Sequence, residues 1–310
     1  MSLLFACQGI EKSYADREIL KGISLNIEIG ERIGLLGQNG SGKSTLASII
    51  FGSLTADRGT IEIVRKKSRV VYLPQTSFGV ENDWVSGIIR PLQSALTGEI
   101  LLQASKMGLD KMQDWEEERW QSLSGGEQKK QALAAAFATA ADLLILDEPS
   151  NNLDVQGIEW LLAALRDYPG AVLIISHDRY FLDQSVQRII EIEQGILHEY
   201  AGSYSFYREE KKRRYQSRLQ QYQAQEKRRQ RIEESIDQLK DWSAKAHRES
   251  RKKARDKDMK KGGKEFFRAK AKKRDQSVKS KVKRLEKMLE EGVENPQAEY
   301  TPAFAFAKTD

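Results

Sequence analysis

Gly37-Gln38-Asn39-Gly40-Ser41-Gly42-Lys43-Ser44 stands between the apolar run Ile33–Leu36 and a helical pattern over Ser44–Phe51. A glycine-rich turn between a buried strand and a helix is the context that a phosphate-binding P-loop requires. Glycines at 37, 40 and 42 allow the backbone to wrap closely, aiming N–H groups and the helix N-terminus at negative charge. In that arrangement Lys43 reaches the β- and γ-phosphates and the Ser44 hydroxyl ligates Mg²⁺. Asn39, Ser41 and Thr45 complete the residues expected around the phosphates of ATP.

Outward from this turn, short apolar strands alternate with helices. Ile23, Leu25, Ile27 and Ile29 alternate with polar partners and give the N-terminal part a β-rich start. Strands are expected at Thr60–Val64, Val70–Leu73, Leu143–Leu146 and Val172–Ile175. Helices are expected at Gly125 to about Ala140 and at Ile158–Arg166, with a mixed, mostly helical stretch over Ser77–Trp120. The fold class is therefore α/β: a mostly parallel sheet with helices on both faces, a β-rich N-terminal subdomain and a helical subdomain. Strand Leu143–Leu146 ends in Asp147-Glu148, which puts two carboxylates at the carboxyl edge of the sheet, where α/β proteins bind ligands. Asp147 is placed to hold Mg²⁺ through its water shell and Glu148 to orient or deprotonate an attacking water.

Between these elements lies LSGGEQ, Leu123–Gln128. Ser124, Gly125 and Gly126 offer a hydroxyl and N–H groups at a helix N-terminus, a second anion-binding surface. With the P-loop, LLILDEP at Leu143–Pro149 and SHD at Ser176–Asp178, the chain resembles an ATP-binding-cassette domain over residues 1 to about 200. The resemblance implies that Ser124–Gly126 close on ATP held by an opposite cassette. It also implies that Tyr14 stacks on adenine, that Gln75 senses Mg²⁺ and water, that Asp154 is the D-loop aspartate and that His177 contacts the γ-phosphate. DEPSNNLD at Asp147–Asp154, SHDRYFLD at Ser176–Asp183 and GSYSFY followed by EEKKRR resemble the F class of this family. Its members carry two cassettes on one chain, lack membrane domains and act on ribosomes, either as translation factors or in antibiotic resistance. The class usually has Thr and His where this chain has Ser150 and Asn152.

Charge separates the chain into two parts. Ala201–Glu290 holds 31 Lys and Arg against 14 Asp and Glu, while the remainder is acidic, although the whole has a net charge of only +6. A basic appendage on an acidic body implies a polyanionic partner. Proline is absent from Phe206 to Asn295, and Gly262-Gly263 interrupts the helical composition, so two antiparallel helices are expected with their turn at these glycines. Trp242 with Val282 and Leu239 with Leu285 have position numbers of equal sum, and Ile236 with Leu289 differs from it by one, as facing residues along one apolar seam of such a hairpin must. Lys252, Lys253, Lys260 and Lys261, with Phe266 and Phe267, are the candidate RNA contacts near the tip.

The expected organisation is a nucleotide-binding cassette at 1–203, a basic helical hairpin at 204–291 and an extended tail at 292–310 that begins a second cassette. On that reading the chain is the N-terminal half of a longer protein, and its partners are the ribosome, through rRNA and tRNA, and a second cassette in cis or by dimerisation. Its longest apolar stretch, Ala132–Ala141, is about half of what a membrane-spanning helix needs. Cys7 is the single cysteine, which excludes an internal disulfide, and the expected location is the cytoplasm. Two other readings remain at this point, the ATPase subunit of a membrane transporter and a DNA-associated ATPase. The hairpin speaks against the first. Against the second, only 79 residues separate Ser44 from Ser124, and the helical hairpin follows His177 instead of interrupting that interval.

Overall fold

The computed structural model describes residues 2–63, 68–75, 98–110, 112–114, 119, 122–254, 261–290 and Asn295. It divides into two compact units, Met1–Glu209 and Glu210–Asp310.

In the first unit, β1 (Leu3–Tyr14) pairs antiparallel with β2 (Arg17–Glu28) and β4 (Arg58–Ile63) in a three-stranded sheet. A second sheet has six strands. Its members are β3 (Arg32–Gly37), β5 (Val70–Leu73), β6 (Leu143–Asp147), β7 (Ala171–Ile175), β8 (Arg188–Glu193) and β9 (Ile196–Ala201), in the order β5-β6-β7-β3-β8-β9. All neighbours run parallel except β9, which turns back antiparallel on β8.

Side chains that alternate across a pleated strand explain why β6 and β7 read as unbroken apolar runs. Leu144, Leu146, Val172 and Ile174 pack on one face with α3 (Gly125–Ala138), α4 (Val155–Asp167) and α5 (Arg179–Ser185). Leu143, Ile145, Leu173 and Ile175 pack on the other with α1 (Lys43–Phe51) and the inner residues of β1 and β2. Each face has its own core, so every position in these strands is buried. At the amino end of the sheet the buried Arg32 guanidinium donates to the carbonyls of Leu165, Gly170 and Tyr168, tying the end of α4 to β3.

The strands and helices expected from sequence form close to their expected limits. The β8–β9 hairpin was not among those expectations. Of the stretch 77–120, the described part contains α2 (Gly98–Lys106) and a short 3-10 turn at Met112–Asp114, and the rest lies outside the described residues.

The second unit is helical. α6 (Tyr204–Ala254) begins in the first unit and continues into the second, and α7 (Lys261–Glu290) follows it. Lys281 Nζ donates to Ser235 Oγ at 2.5 Å. Ser235 lies 19 residues before the end of α6 and Lys281 20 residues after the start of α7, so the helices are antiparallel. The turn is not where the glycines suggest. Gly262 and Gly263 stand in the first turn of α7, a place where unsatisfied N–H groups make glycine tolerable. The register is displaced accordingly. Ile236 and Ser243 are the buried residues of this part of α6, while Trp242, expected in the seam, is 57% exposed. The expected tail, 292–310, lies outside the described residues apart from Asn295.

Candidate nucleotide site

The phosphate loop leaves β3 at Gly37 and enters α1 at Gly42 and Lys43. Both glycines have positive φ, 151° and 105°. A Cβ at Gly37 would stand 2.7 Å from the Ile192 carbonyl oxygen, and one at Gly42 would stand 2.7 Å from Leu20 Cδ2. Backbone shape and close packing thus both require glycine here. Lys43 arches back over the loop, with Nζ 2.8 Å from the Gly37 carbonyl and 3.1 Å from that of Gln38. Burial draws its pKa down, and Asp147 and Glu148 partly offset this.

The acidic strand end meets this loop. Ser44 Oγ donates to Asp147 Oδ2 at 3.1 Å, and Tyr72 Oη donates to the same oxygen at 3.3 Å. Glu148 turns out of β6 at φ 48°, and its N–H donates to the Ile175 carbonyl at 2.7 Å. Glu148 Oε2 accepts from Ser176 Oγ and from the His177 N–H, each at 3.4 Å, while His177 Nε2 lies 3.7 Å from Oε1. Asp147 and Glu148 are 4% and 6% exposed. Desolvation raises both carboxyl pKa values above the ordinary range, against the opposing pull of their hydrogen bonds and neighbouring cations.

These residues fit a magnesium–nucleotide group. Ser44 and Asp147 place two hard oxygen donors side by side, of the kind Mg²⁺ takes from protein when phosphates and water complete its shell. Glu148 Oε1 is buried yet accepts no hydrogen bond among the described residues, which leaves an acceptor for a water molecule. Gln75 follows β5 and is exposed. Pairing of Leu73 with Leu146 brings that strand end beside the acidic one.

Ser124 caps α3 through a reciprocal box: Glu127 N–H donates to Ser124 Oγ at 3.3 Å, and Glu127 Oε2 accepts from Ser124 N–H at 2.9 Å. Gly126 packs so closely on the segment after the acidic strand that a Cβ there would lie 2.8 Å from the Asn152 carbonyl. Asp154 caps α4 at the Gly157 N–H and accepts from Lys130 Nζ, both at 2.9 Å. Among the described residues no hydrogen bond or ion pair joins Ser124, Gly125 or Gly126 to the phosphate loop. Tyr14, 50% exposed at the end of β1, has Lys12 Nζ 5.9 Å from its ring centroid. Lys252, Lys253, Lys261, Phe266 and Phe267 lie on helical backbone with side chains outside the described residues, and Lys260 lies outside them entirely.

Sequence reasoning missed several buried polar residues, Lys129 and Glu191 among them. Lys129 points inward from α3 to the Asp147 carbonyl, 3.5 Å away. Glu191, inside β8, accepts from Tyr207 Oη at 2.9 Å and so fixes the first turns of α6 on the sheet. A charged residue interrupting the apolar run Ile189–Ile192 was the available signal for Glu191.

Residues 20–151 match a family described as ABC transporter, and a second family with the same description matches residues 190–265. The ribosome protection protein VmlR of Bacillus subtilis (strain 168) is 35% identical over 299 residues, 95% of this chain and 49% of that protein. ABC transporter F family member 5 of Arabidopsis thaliana is 34% identical over 216 residues, 65% of this chain and 29% of that one. The energy-dependent translational throttle protein EttA of Mycobacterium tuberculosis (strain ATCC 25618 / H37Rv) is 29% identical over 247 residues, 68% of this chain and 44% of that one. A solved ATP-binding subunit of an ABC transporter aligns with TM-score 0.54 at 21% identity, over 64% of this chain and 90% of that one, a likeness of fold. The chain spans half or less of the length of these curated relatives. Fold and site together define an ATP-binding cassette, and the chain belongs to the ATP-binding-cassette family. Within the family it falls in the F class.

Proposed function

We propose that the chain binds ATP with Mg²⁺ and hydrolyses it, and that this cycle is coupled to ribosome binding through the basic hairpin α6–α7. The observation that carries the hydrolysis reading is the meeting of Ser44 with Asp147 at 3.1 Å beside the buried Glu148. Lys43 and the loop N–H groups bind and orient the phosphates. Ser44, Asp147 and Gln75 would hold Mg²⁺, which would supply charge neutralisation on the phosphates. Glu148 accepts the proton of the attacking water, and raised basicity suits that task. His177 sits against Glu148 and reaches the terminal phosphate, while Tyr14 is the adenine platform.

Ser124, Gly125 and Gly126, with Asp154, serve nucleotide held by a second cassette, in cis or by dimerisation. Among the described residues Ser124, Gly125 and Gly126 make no hydrogen bond or ion pair with this chain's own phosphate loop, which agrees with that role. Specific ATPase activity of the chain alone should therefore rise with protein concentration. A rate independent of concentration would contradict the shared site.

The ribosome assignment, in a cytoplasmic setting, draws on the F-class relatives and on the basic charge of the hairpin. Co-sedimentation with ribosomes, with detergent-free membranes and with duplex DNA, each with and without ATP, tests it. Nucleotide-dependent pelleting with ribosomes is the expected result. Pelleting only with membranes or only with DNA would replace it with a transporter or a DNA-associated role.

A further inference from the structure

We infer that Lys129 is a positioning residue of the nucleotide site, a buried cation that sits behind the Asp147–Glu148 pair, offsets its charge and holds the peptide joining the two carboxylates. This rests on the ATP-binding reading above.

Lysine is almost never fully buried unless it is paired, yet Lys129 is 3% exposed. Its neighbour Lys130 shows the ordinary alternative, reaching across the surface to Asp154. Lys129 instead extends under α3, and its Nζ lies 3.5 Å from the Asp147 carbonyl oxygen. That carbonyl belongs to the peptide leading into Glu148, where the chain takes its left-handed turn at φ 48°. The carbonyl it reaches lies in the peptide that joins the two carboxylates, so a cation at this place stands behind both Asp147 and Glu148. Burial at this depth disfavours a charged side chain. An apolar side chain of the same length would avoid that penalty, so the retained charge points to a task at the carboxylates. Because Lys129 lies on the helix that Ser124 caps, it also joins the Leu123–Gln128 segment directly to the acidic strand.

Two consequences have opposite signs. Without the cation, the carboxylates attract Mg²⁺ more strongly, while a magnesium-free triphosphate faces more uncompensated negative charge. A residue that only filled space would change neither.

The test uses the full chain and a fluorescent ATP analogue, with chelator and across a Mg²⁺ titration. In Lys129→Met, affinity with chelator should fall about three- to tenfold and the Mg²⁺ concentration for half-saturation should fall by a similar factor, the scale of one charge in a partly buried site. Lys129→Arg should stay within about twofold of wild type. Lys129→Gln keeps a donor for the Asp147 carbonyl without the charge, so it should follow the Met variant, and it serves as the test if Lys129→Met does not fold. Wild-type values in both neutral variants would overturn the inference while leaving the ATP reading intact. A wild-type chain that binds no ATP analogue would remove the underlying reading and the inference with it.

Discussion

Leu173 in β7 and Trp242 in α6 are both large apolar residues, and the two units treat them oppositely: Leu173 is 0% exposed and Trp242 57%. The cassette is built on contacts distant in sequence, with β7 paired to both β3 and β6 and enclosed by two cores. The hairpin is built mostly on its own helical bonds and on local ion pairs such as Arg229 with Glu226 and Glu233, each worth only about 0.3 to 0.5 kcal/mol. One unit uses its side chains to fix a site; the other keeps them at the surface. The cassette therefore resists change in its strands, and the hairpin tolerates it at its exposed positions, such as Trp242.

The sharpest way to break this contrast is a matched pair of truncations. Leu173→Ala should destabilise the cassette by about 2 to 5 kcal/mol. Ile236→Ala should leave the cassette's unfolding transition in place and lower only helical content. Calorimetry with circular dichroism checks both, and a shared drop in cassette stability would show that the units are not independent in this way.

A smaller effect, of opposite sign, is expected at the site. The Asp147 carboxyl is raised by burial, so the folded state takes up a proton more readily than the unfolded one. Its ionisation therefore opposes folding, fully so above the raised folded value, and the penalty fades as pH falls through that value toward the ordinary carboxylate range. Asp147→Asn should stabilise the nucleotide-free protein near neutral pH by about 1 kcal/mol, about 2 to 4 °C in the unfolding midpoint. That gain should shrink as the solution is acidified. A gain independent of pH would assign it to something other than the buried charge.

The smallest effect on stability is expected at the tip, where replacing Lys252, Lys253, Lys260 and Lys261 with glutamine should change folding by no more than about 0.5 kcal/mol. Ribosome affinity should respond differently. Its logarithmic salt slope should flatten by roughly 0.7 to 0.9 for each phosphate that is no longer neutralised. An unaltered slope would remove these lysines from the interface.

The same contrast governs what the sequence reveals. The phosphate loop is legible because its glycines, Lys43 and Ser44 act through local spacing, and β6 and β7 are legible because burial on both faces leaves an unbroken apolar run. The β8–β9 hairpin is harder to read, since Glu191 breaks the run and its bond to Tyr207 in α6 becomes visible only in the fold. Lys129 looks like one of a solvated pair with Lys130, and its inward direction depends on how α3 lies over the sheet. In the hairpin, the two glycines suggest a turn, but at the start of α7 they are accommodated within the helix. Weak apolar patterning leaves the register loosely specified, so that of the residues assigned to the seam Ile236 is buried and Trp242 is exposed.

The central claim is that Glu148 performs the chemistry at a site whose binding parts are Lys43, Ser44 and Asp147. Single-turnover hydrolysis by Glu148→Gln, with binding of a fluorescent ATP analogue measured on the same preparation, tests it most directly. The account predicts retained binding and hydrolysis slowed by about 10² to 10⁴. Hydrolysis at the wild-type rate with nucleotide bound would contradict it.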